Sequence, residues 1–350
     1  MTSIARIPDR LRFDEATPSP RPLVDGFRRR ITYLRLSVTD RCDLRCAYCM
    51  PERMTFLPRR EVLSLEELSE LSTAFIARGV TKLRITGGEP LVRRDISDLF
   101  TALGRRIGDG LEELTLTTNA TRLADHADTL AKAGVRRVNV SLDTLDRDRF
   151  AALTRRDALP QVLEGIAAAR EAGLRVKLNT VALKGVNEDE LRDLIAWAHG
   201  ERHEVTLIEV MPLGDIEEER LDQYLPLDIV RKRLAKDWTL ADSDHSSGGP
   251  ASFVDIAETG GRLGFIAPHT NNFCANCNRL RVTATGQLYP CLGGGERVDL
   301  RAALRSNDPR GQLAEALDAA MIIKPERHHF RMDERGAAPA LARHMSTTGG

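Results

Sequence analysis

Residues 31–52 read ITYLRLSVTDRCDLRCAYCMPE, in which an apolar run leads directly into a loop with three cysteines. Cys42, Cys46 and Cys49 therefore follow the carboxyl end of a predicted strand, which is where barrel folds place their chemistry. Three thiolates can hold three irons of a four-iron cluster, whereas four are needed to saturate it. The loop favours a cluster with one open iron over a zinc loop, because it lacks the paired ligand knuckles typical of zinc.

Five further strand patterns follow along the chain and alternate with helical stretches. Ser64 and Glu67 form a capping box at the start of one helix, and Gly79 marks its end, as Gly134 and Gly173 do for later helices. Strands joined by crossover helices pair in parallel. The predicted fold is therefore an α/β, partial (βα)6 barrel of the TIM type. Its six strands span residues 31–38, 82–86, 113–118, 136–142, 175–183 and 204–211.

The pattern changes after residue 211. An acidic loop leads to one helix near 227–236 and to the Ser/Gly-rich segment SDHSSGGP, and short strands then surround three further cysteines. We therefore predict a flexible extension over 1–30 and the partial barrel over 31–245. Residues 246–350 are predicted to form a C-terminal α+β addition that carries a second iron–sulfur cluster.

Composition excludes several classes of function. The 350 residues contain 51 basic and 51 acidic side chains, so no global field draws the protein onto nucleic acid or anionic lipid. No apolar run is long enough for a membrane span, and the first residues lack a secretory signal. We expect a cytoplasmic protein that binds neither nucleic acid nor membrane. Any anionic ligand must be held by local Arg and Lys side chains.

The second cysteine group is Cys274, Cys277 and Cys291. Tight clustering of all six cysteines in such a chain indicates metal binding rather than disulfides. Three thiolates again suit a cluster with an open iron. A Cys3His zinc site is the alternative, because His269 lies five residues before Cys274.

The first motif resembles that of the radical S-adenosylmethionine (SAM) superfamily. Tyr48 precedes the third cysteine, and TGGEPL follows the second strand at 86–91. Together with CANCNRLR at 274–281 and the terminal Gly349-Gly350, the chain from about Ile31 onward is similar to the MoaA family, the GTP 3′,8-cyclases of molybdenum cofactor biosynthesis. The resemblance implies radical cyclisation of GTP to (8S)-3′,8-cyclo-7,8-dihydroguanosine 5′-triphosphate. It also implies two [4Fe-4S] clusters and SAM as cofactors.

The resemblance assigns roles to residues of this chain. Each cysteine trio holds one cluster, and Gly349 and Gly350 reach the active site. The SAM contacts it implies are Tyr48, Gly88, Ser141 and Met211. The GTP contacts it implies are Arg35, Arg84, Thr117, Lys177, Arg279, Leu280 and Arg281, with Lys82 as a weaker addition.

Strand alternation supports the arginines of this set. Arg35 shares a strand face with Tyr33, and Lys82 shares one with Arg84, so these charges are expected inside the barrel, because helices cover the outside of a parallel barrel. Arg136 and Arg137, in contrast, are predicted to face solvent.

Two positions depart from the family pattern. Thr206 stands where an Arg is common, and Asn119-Ala120 replaces the commoner Asn-Gly. The resemblance further implies an external electron donor, a homodimer, and transfer of the product to cyclic pyranopterin monophosphate synthase (MoaC). The competing interpretations are a peptide-modifying radical SAM enzyme with an auxiliary cluster and a zinc-stapled protein that binds nucleotides without turnover.

Overall fold

The computed structural model describes residues 21–214, 216, 220–269, 273–328, 330, 341 and 343–349. Most of the predicted N-terminal extension therefore lies outside the described residues. The part from 21 to 30 packs on the barrel, in contrast to the flexible segment predicted for it. Leu23 is fully buried, and Arg29 forms an ion pair with Asp25 at 2.6 Å. One apolar anchor and one ion pair thus order a segment whose composition indicates a flexible chain.

Six parallel strands form the centre of the sheet, and each begins and ends within two residues of its predicted bounds. Neighbours in the chain are neighbours in the sheet throughout this part. The strands are β1 Tyr33–Ser37, β2 Lys82–Thr86, β3 Glu113–Thr118, β4 Arg137–Ser141, β5 Arg175–Ala182 and β6 Glu204–Glu209. The parallel order confirms the partial (βα)6 barrel.

Helices connect these strands. They are α1 Leu65–Ala77, α2 Ile96–Gly104, α3 Leu123–Lys132, α4 Arg147–Thr154, α5 Leu159–Glu171 and α6 Leu191–Gly200. The predicted capping box opens α1: the Glu67 amide donates to Ser64 Oγ at 3.2 Å, and the Ser64 amide donates to Glu67 Oε2 at 2.7 Å. Such reciprocal bonds satisfy two amide groups that have no partner within the helix. The cap therefore fixes where the first crossover begins.

The C-terminal part extends the same sheet at both edges. The strand β9 (Gly261–Ile266) pairs in parallel with β6, and the strand β10 (Arg279–Val282) pairs in parallel with β1. With the short strands beyond them, the sheet formed by the described residues has 12 strands. Its elements are α7 Arg220–Gln223, α8 Leu227–Leu234, β7 Leu240–Ser243, β8 Ser252–Ile256, β9 Gly261–Ile266, β10 Arg279–Val282, β11 Gln287–Tyr289, β12 Val298–Asp299, α9 Leu300–Leu304, α10 Pro309–Ile322 and α11 Met345–Thr348. The sheet thus includes strands from both sides of residue 245. The domain boundary at 245/246 stays a prediction.

Alternate residues of the strands face two different surroundings. The outward set is apolar and buried beneath the helices, and it includes Leu34, Leu83, Leu116, Val140 and Leu207. The intervening residues are polar or charged and line an internal cavity. The burial pattern is therefore that of a parallel barrel whose interior holds a ligand.

Within the described ranges, no helix is both long enough and apolar enough to cross a bilayer.

Packing between α2 and α3 gives a first prediction. A Cβ atom added at Gly104 would lie 2.0 Å from the carbonyl oxygen of Ala133, a backbone atom that cannot rotate away. We expect Gly104→Ala to lower the free energy of unfolding by about 1–3 kcal/mol, as overpacked sites do.

Gly200 provides the matched control, because it also ends a helix and a Cβ there would meet nothing within 4 Å. Gly200→Ala is expected to be neutral or stabilising by up to about 1 kcal/mol. Denaturant unfolding of both variants measures the difference, and equal midpoints would contradict the packing argument.

Candidate active site

One internal cavity of about 260 Å³ brings together residues from all parts of the chain. Its wall is the inner face of the strands, and both cysteine trios and the C-terminal segment line it. Cys42 follows β1, whereas Cys277 precedes β10, which runs parallel to β1. The two trios therefore lie at opposite ends of the strands, with the cavity between them.

The first trio is held in a tight turn after β1. The amides of Cys49 and Met50 donate to the carbonyl oxygen of Cys46 at 2.9 and 3.2 Å. Burial raises the pKa of the Cys42 and Cys46 thiols strongly and raises that of Cys49 to about 11. Three thiolates in such surroundings need a positively charged centre to hold them ionised. Within the described residues, this donor set fits three irons of a cluster.

The GGEP turn after β2 supports this loop. The Gly88 amide donates to Thr39 O and the Glu89 amide donates to Arg41 O, both at 2.8 Å. A Cβ at Gly88 would lie 2.3 Å from Arg41 O, so the turn requires glycine for close approach to the cysteine loop. The two loops are thus bonded backbone to backbone.

Glu89 fastens the same turn to the next strand. Its buried carboxylate accepts from Thr118 Oγ1 at 2.8 Å and from the amides of Leu91 and Asn119 at 2.9 and 2.6 Å. Burial raises its pKa to about 7. All these bonds point into the protein, so Glu89 is an anchor of the first three strand ends.

The predicted SAM contacts Tyr48, Gly88, Ser141 and Met211 all line the cavity. Tyr48 is fixed by its hydroxyl, which donates to Asp143 Oδ2 at 2.7 Å. Asp143 Oδ1 in turn accepts from the Val181 amide at 2.8 Å, and burial raises the pKa of Asp143 to about 6. These side chains converge beside the first trio.

A row of buried guanidinium groups crosses the middle of the cavity. Arg35 on β1 lies in register with Arg84 on β2 and with Arg281 on β10. Their Nε atoms are buried, and none has a hydrogen-bond partner among the described residues. Burial lowers the pKa of Arg35 and Arg84, and it lowers that of Arg281 to about 10. Charged donors in this state require an anion.

The remaining predicted contacts divide into two groups. Thr117, Lys177 and Arg279 line the cavity. Leu280 does not: its side chain is fully buried in the outer apolar core. Because successive strand residues point to opposite faces, the residue between Arg279 and Arg281 must turn away from the cavity. A contact of Leu280 with the substrate would therefore come from its main chain, and it stays a prediction.

Arg137 also corrects the sequence prediction. It lines the cavity and forms an ion pair with Glu113 at 2.6 Å, and Lys82 binds the same carboxylate at 2.7 Å. Lys82 additionally donates to Ser247 O at 2.9 Å, so the loop before β8 is attached to this end of the barrel. A second cavity of about 470 Å³ opens there, at the amino ends of the strands.

Lys177 and Thr206 occupy the far side of the cavity. Burial lowers the pKa of Lys177 to about 8, and its Nζ lies 4.0 Å from Glu204 Oε2 and 4.6 Å from the centre of the Phe253 ring. Thr206 is buried beside Gly264, where a Cβ would lie 2.8 Å from Thr206 Oγ1. Gly264 therefore leaves the room that the Thr206 side chain occupies.

The second trio sits in markedly different surroundings. Cys274 opens a short turn in which the Cys277 amide donates to Cys274 O at 3.0 Å, and Cys291 follows β11. Burial raises the pKa of Cys277, but Arg279 and Lys324 outweigh that effect and lower it to about 7. Cys277 is therefore poised to bind metal as a thiolate, whereas burial raises the pKa of the Cys274 thiol.

His269 does not join these cysteines. Its Nε2 donates to Val210 O at 3.1 Å, its ring packs against Tyr224, and it is not among the residues that line the cavity. In the described part of the chain, no three His, Cys, Asp or Glu side chains converge as they would around a single ion. In the described structure His269 is therefore not a fourth ligand of this trio.

The C-terminal segment returns to the cavity. Met345, Ser346 and Gly349 line it, whereas Gly350 lies outside the described residues. Gly349 has a φ of +75°, and a Cβ there would lie 2.2 Å from Thr86 Cγ2. A glycine is thus required where the tail meets β2.

Sequence reasoning missed Arg137, Asn139 and Asn179, which also line the cavity. The alternation that identified Arg35 and Arg84 would have found them on β4 and β5, because they share a face with Ser141 and Lys177. No local signal marks Asp143 or Lys324, which meet the site through long-range contacts.

Comparison with known proteins identifies the families and the individual proteins that the chain is similar to. Residues 36–198 match the radical SAM superfamily model, and residues 203–330 match the Molybdenum Cofactor Synthesis C model. A GTP 3′,8-cyclase of Erythrobacter litoralis (strain HTCC2594) is 70% identical over 94% of this chain and 98% of that protein. One of Rhizobium etli (strain CIAT 652) is 56% identical over 94% of each.

Solved structures share the fold at much lower identity. Streptococcus suis SuiB bound to S-adenosylmethionine is 15% identical, with a TM-score of 0.54 over 81% of this chain and 68% of that one. Native anSMEcpe with bound AdoMet is 15% identical, with a TM-score of 0.54 over 80% of this chain and 82% of that one. At these identities the likeness concerns the fold alone.

The contact between the tail and β2 yields a prediction. Gly349→Ala forces a methyl group against Thr86, so the last residues are expected to leave the cavity. Carboxypeptidase digestion followed by mass spectrometry should then remove them several-fold faster than in the wild type.

Gly295→Ala serves as the control, because Gly295 is exposed and a Cβ there would meet nothing within 4 Å. Equal digestion of the Gly349 variant and the wild type would show that the tail does not depend on this contact.

Proposed function

Because the chain belongs to the GTP 3′,8-cyclase family, we propose that the cavity between its two cysteine trios is where GTP is cyclised. The enzyme catalyses the first step of molybdenum cofactor biosynthesis, a radical SAM reaction that yields (8S)-3′,8-cyclo-7,8-dihydroguanosine 5′-triphosphate. One observation carries the assignment of the site. The row of Arg35, Arg84 and Arg281, whose buried Nε atoms have no hydrogen-bond partner among the described residues, shares its cavity with all six cysteines.

The cofactors are SAM and two [4Fe-4S] clusters. We assign Cys42, Cys46 and Cys49 to the first cluster and Cys274, Cys277 and Cys291 to the second. When bound there, the first cluster and SAM would supply the radical chemistry that acts on the ribose of GTP. The protein positions the reacting groups and keeps water out of the cavity.

SAM is assigned to the end of the cavity beside the first trio. Tyr48, locked by Asp143, gives this subsite a rigid wall, and Ser141 and Met211 lie at the ends of β4 and β6. The GGEP turn is pinned by Glu89, so its backbone stays in place as the ligand binds. Gly88 contributes main-chain groups rather than a side chain.

The triphosphate is assigned to the basic middle of the cavity. Arg35, Arg84 and Arg281 offer forked donors that match phosphate oxygens, and Arg279, Lys177 and Thr117 line the same space. Lys82 and Arg137 share the single carboxylate of Glu113, so together they add one net positive charge at the amino ends of the strands. We propose that Arg137 supplies the positive charge that relatives with Arg at position 206 obtain from that residue.

Guanine is assigned to the end of the cavity beside the second cluster, and Gly349 lies against Thr86 of β2 in the cavity wall. We further propose a cytoplasmic homodimer that receives electrons from an external donor and passes its product to MoaC. The contrast between the two trios supports separate roles for them.

Iron and acid-labile sulfide per chain, measured after anaerobic reconstitution with zinc assayed alongside, test the cofactors first. About eight of each are expected for two cubanes. About four of each with one zinc would remove the second cluster and with it the main support for GTP. A zinc protein without sulfide would instead be the binding protein considered above.

Turnover variants test the assignment of the two ends. Cys274→Ala, or loss of both Arg279 and Arg281, should abolish GTP cyclisation and leave slow SAM cleavage, because the first trio is intact. Product and 5′-deoxyadenosine are quantified together by chromatography. Unchanged cyclisation in both variants would overturn the assignment, and failure of the wild type to bind GTP would favour a peptide-modifying enzyme.

The lowered pKa of Lys177 predicts a pH dependence of GTP binding. A lysine with a pKa of about 8 is charged below pH 8 and neutral above it. An anionic ligand binds the charged form, so Kd should be constant up to pH 8 and then rise by up to about tenfold per pH unit. The useful range ends near pH 9.5, because the pKa of Arg281 is about 10.

Lys177→Arg stays charged over this range, so its Kd should not change with pH. Lys177→Met should bind about 10- to 100-fold more weakly at pH 7.5, the loss of about 1.5–3 kcal/mol expected for a charged hydrogen bond. Anaerobic calorimetry measures all three proteins. A rise in Kd above pH 8 in the Met variant would assign the titration to another group.

A further inference from the structure

A buried lysine lies directly behind the second cysteine trio. Lys324, two residues after α10, is only 3% exposed. Its Nζ donates to Pro290 O at 2.7 Å and to Arg279 O at 3.1 Å, and it lies 3.7 Å from Cys277 Sγ. Pro290 precedes Cys291, and Arg279 follows Cys277. One ammonium group therefore ties both arms of the trio together.

The charge of Lys324 is not neutralised by an acid nearby. Among the residues that the structure describes, no carboxylate lies within 4 Å of its Nζ. Asp25, the acid in its neighbourhood, is engaged by Arg29 at 2.6 Å. Burial disfavours an ammonium group without a negative partner. The sulfur of Cys277, when it is a thiolate, supplies that partner.

Arg29 holds the lysine loop in place. Its guanidinium donates to Cys274 O at 2.8 Å and to Pro325 O and Glu326 O, both at 2.6 Å. The loop that carries Lys324 is thus bound to the same trio on its other side. Because these hydrogen bonds hold the loop, the Lys324 ammonium group keeps a constant distance to Cys277 Sγ.

The first trio has the opposite electrostatic environment. The carboxylates of Glu89, Asp43 and Asp143 raise the pKa of its thiols. A cation in this loop, Arg45, donates to the carbonyl oxygens of Cys42 and Leu44 at 2.6 and 2.8 Å rather than to a sulfur. The donor nearest to one of its sulfurs is neutral: Asn119 Nδ2 lies 3.7 Å from Cys42 Sγ. The two trios therefore differ in the sign of the charge beside them, although both hold three cysteines.

We propose that Lys324 is a positioning residue that donates a charged N–H···S hydrogen bond to Cys277 and raises the reduction potential of the second cluster above that of the first. Reduction adds a negative charge to a cluster, and a fixed cation beside a ligand sulfur stabilises that charge. The inference rests on the assignment of the second cluster given above. It extends that assignment by making the two clusters unequal electron acceptors.

Lys324→Met removes the charge and keeps the length of the side chain, whereas Lys324→Gln keeps a neutral donor. The reconstituted full-length proteins are titrated anaerobically at poised potentials, and the reduced clusters are followed by electron paramagnetic resonance. A variant with Cys42, Cys46 and Cys49 replaced by Ser assigns the signals. Lys132→Met, an exposed lysine on α3, is the matched control.

The reduced fraction of the second cluster should fall about tenfold in Lys324→Met at a given potential, equivalent to about 59 mV for a one-electron couple. Lys324→Gln should fall between this variant and the wild type. The first cluster serves as an internal reference and should not move, and Lys132→Met should match the wild type.

An unchanged second-cluster potential in Lys324→Met, or an equal shift of both clusters, would overturn the proposal. If both Lys324 variants bind only about four irons while the wild type binds eight, the lysine is a requirement for assembly and the tuning role is wrong. A wild type with four irons would instead refute the second cluster itself, so the two failures are distinguishable.

Discussion

The outer surface of the six parallel strands is sealed by helices, so the polar half of every strand faces inward. That constraint determines the site. Arg35, Arg84 and Arg281 form an internal row because Leu34, Leu83 and Leu280 are needed on the opposite face. Guanidinium groups whose buried Nε atoms have no hydrogen-bond partner among the described residues are complete only with an anionic ligand. The stability of the barrel and the affinity of its cavity are thus two results of one alternation.

The same geometry separates two metal centres that look alike in the sequence. Cys42, Cys46 and Cys49 follow a strand and are surrounded by acids, whereas Cys277 precedes a strand and faces Arg279 and Lys324. The guanidinium row lies between them. A substrate held by that row meets a different electrostatic field at each end, which suits an enzyme that starts a radical at one end and orients a base at the other.

Much of this could be predicted from the sequence, because the signals were periodic or local. Strand bounds followed from alternation, the start of α1 followed from Ser64 and Glu67, and the cysteine motifs indicated which thiols line the cavity. An error arose where that alternation was set aside, because Arg137 was assigned to solvent. Lys324 and Asp143 could not be found, because their partners are distant in the chain and only the folded sheet brings them together.

The sheet is completed at both edges by strands from the C-terminal part of the chain. β1 (Tyr33–Ser37) is synthesised well before its second neighbour in the sheet, β10 (Arg279–Val282). Until then the barrel has two open edges, whose unpaired amides and carbonyls invite pairing with other chains. Contacts of such high sequence separation form slowly. A nascent chain therefore carries open strand edges until β9 and β10 have been made, and the second cysteine trio can be assembled only after Cys291 follows them.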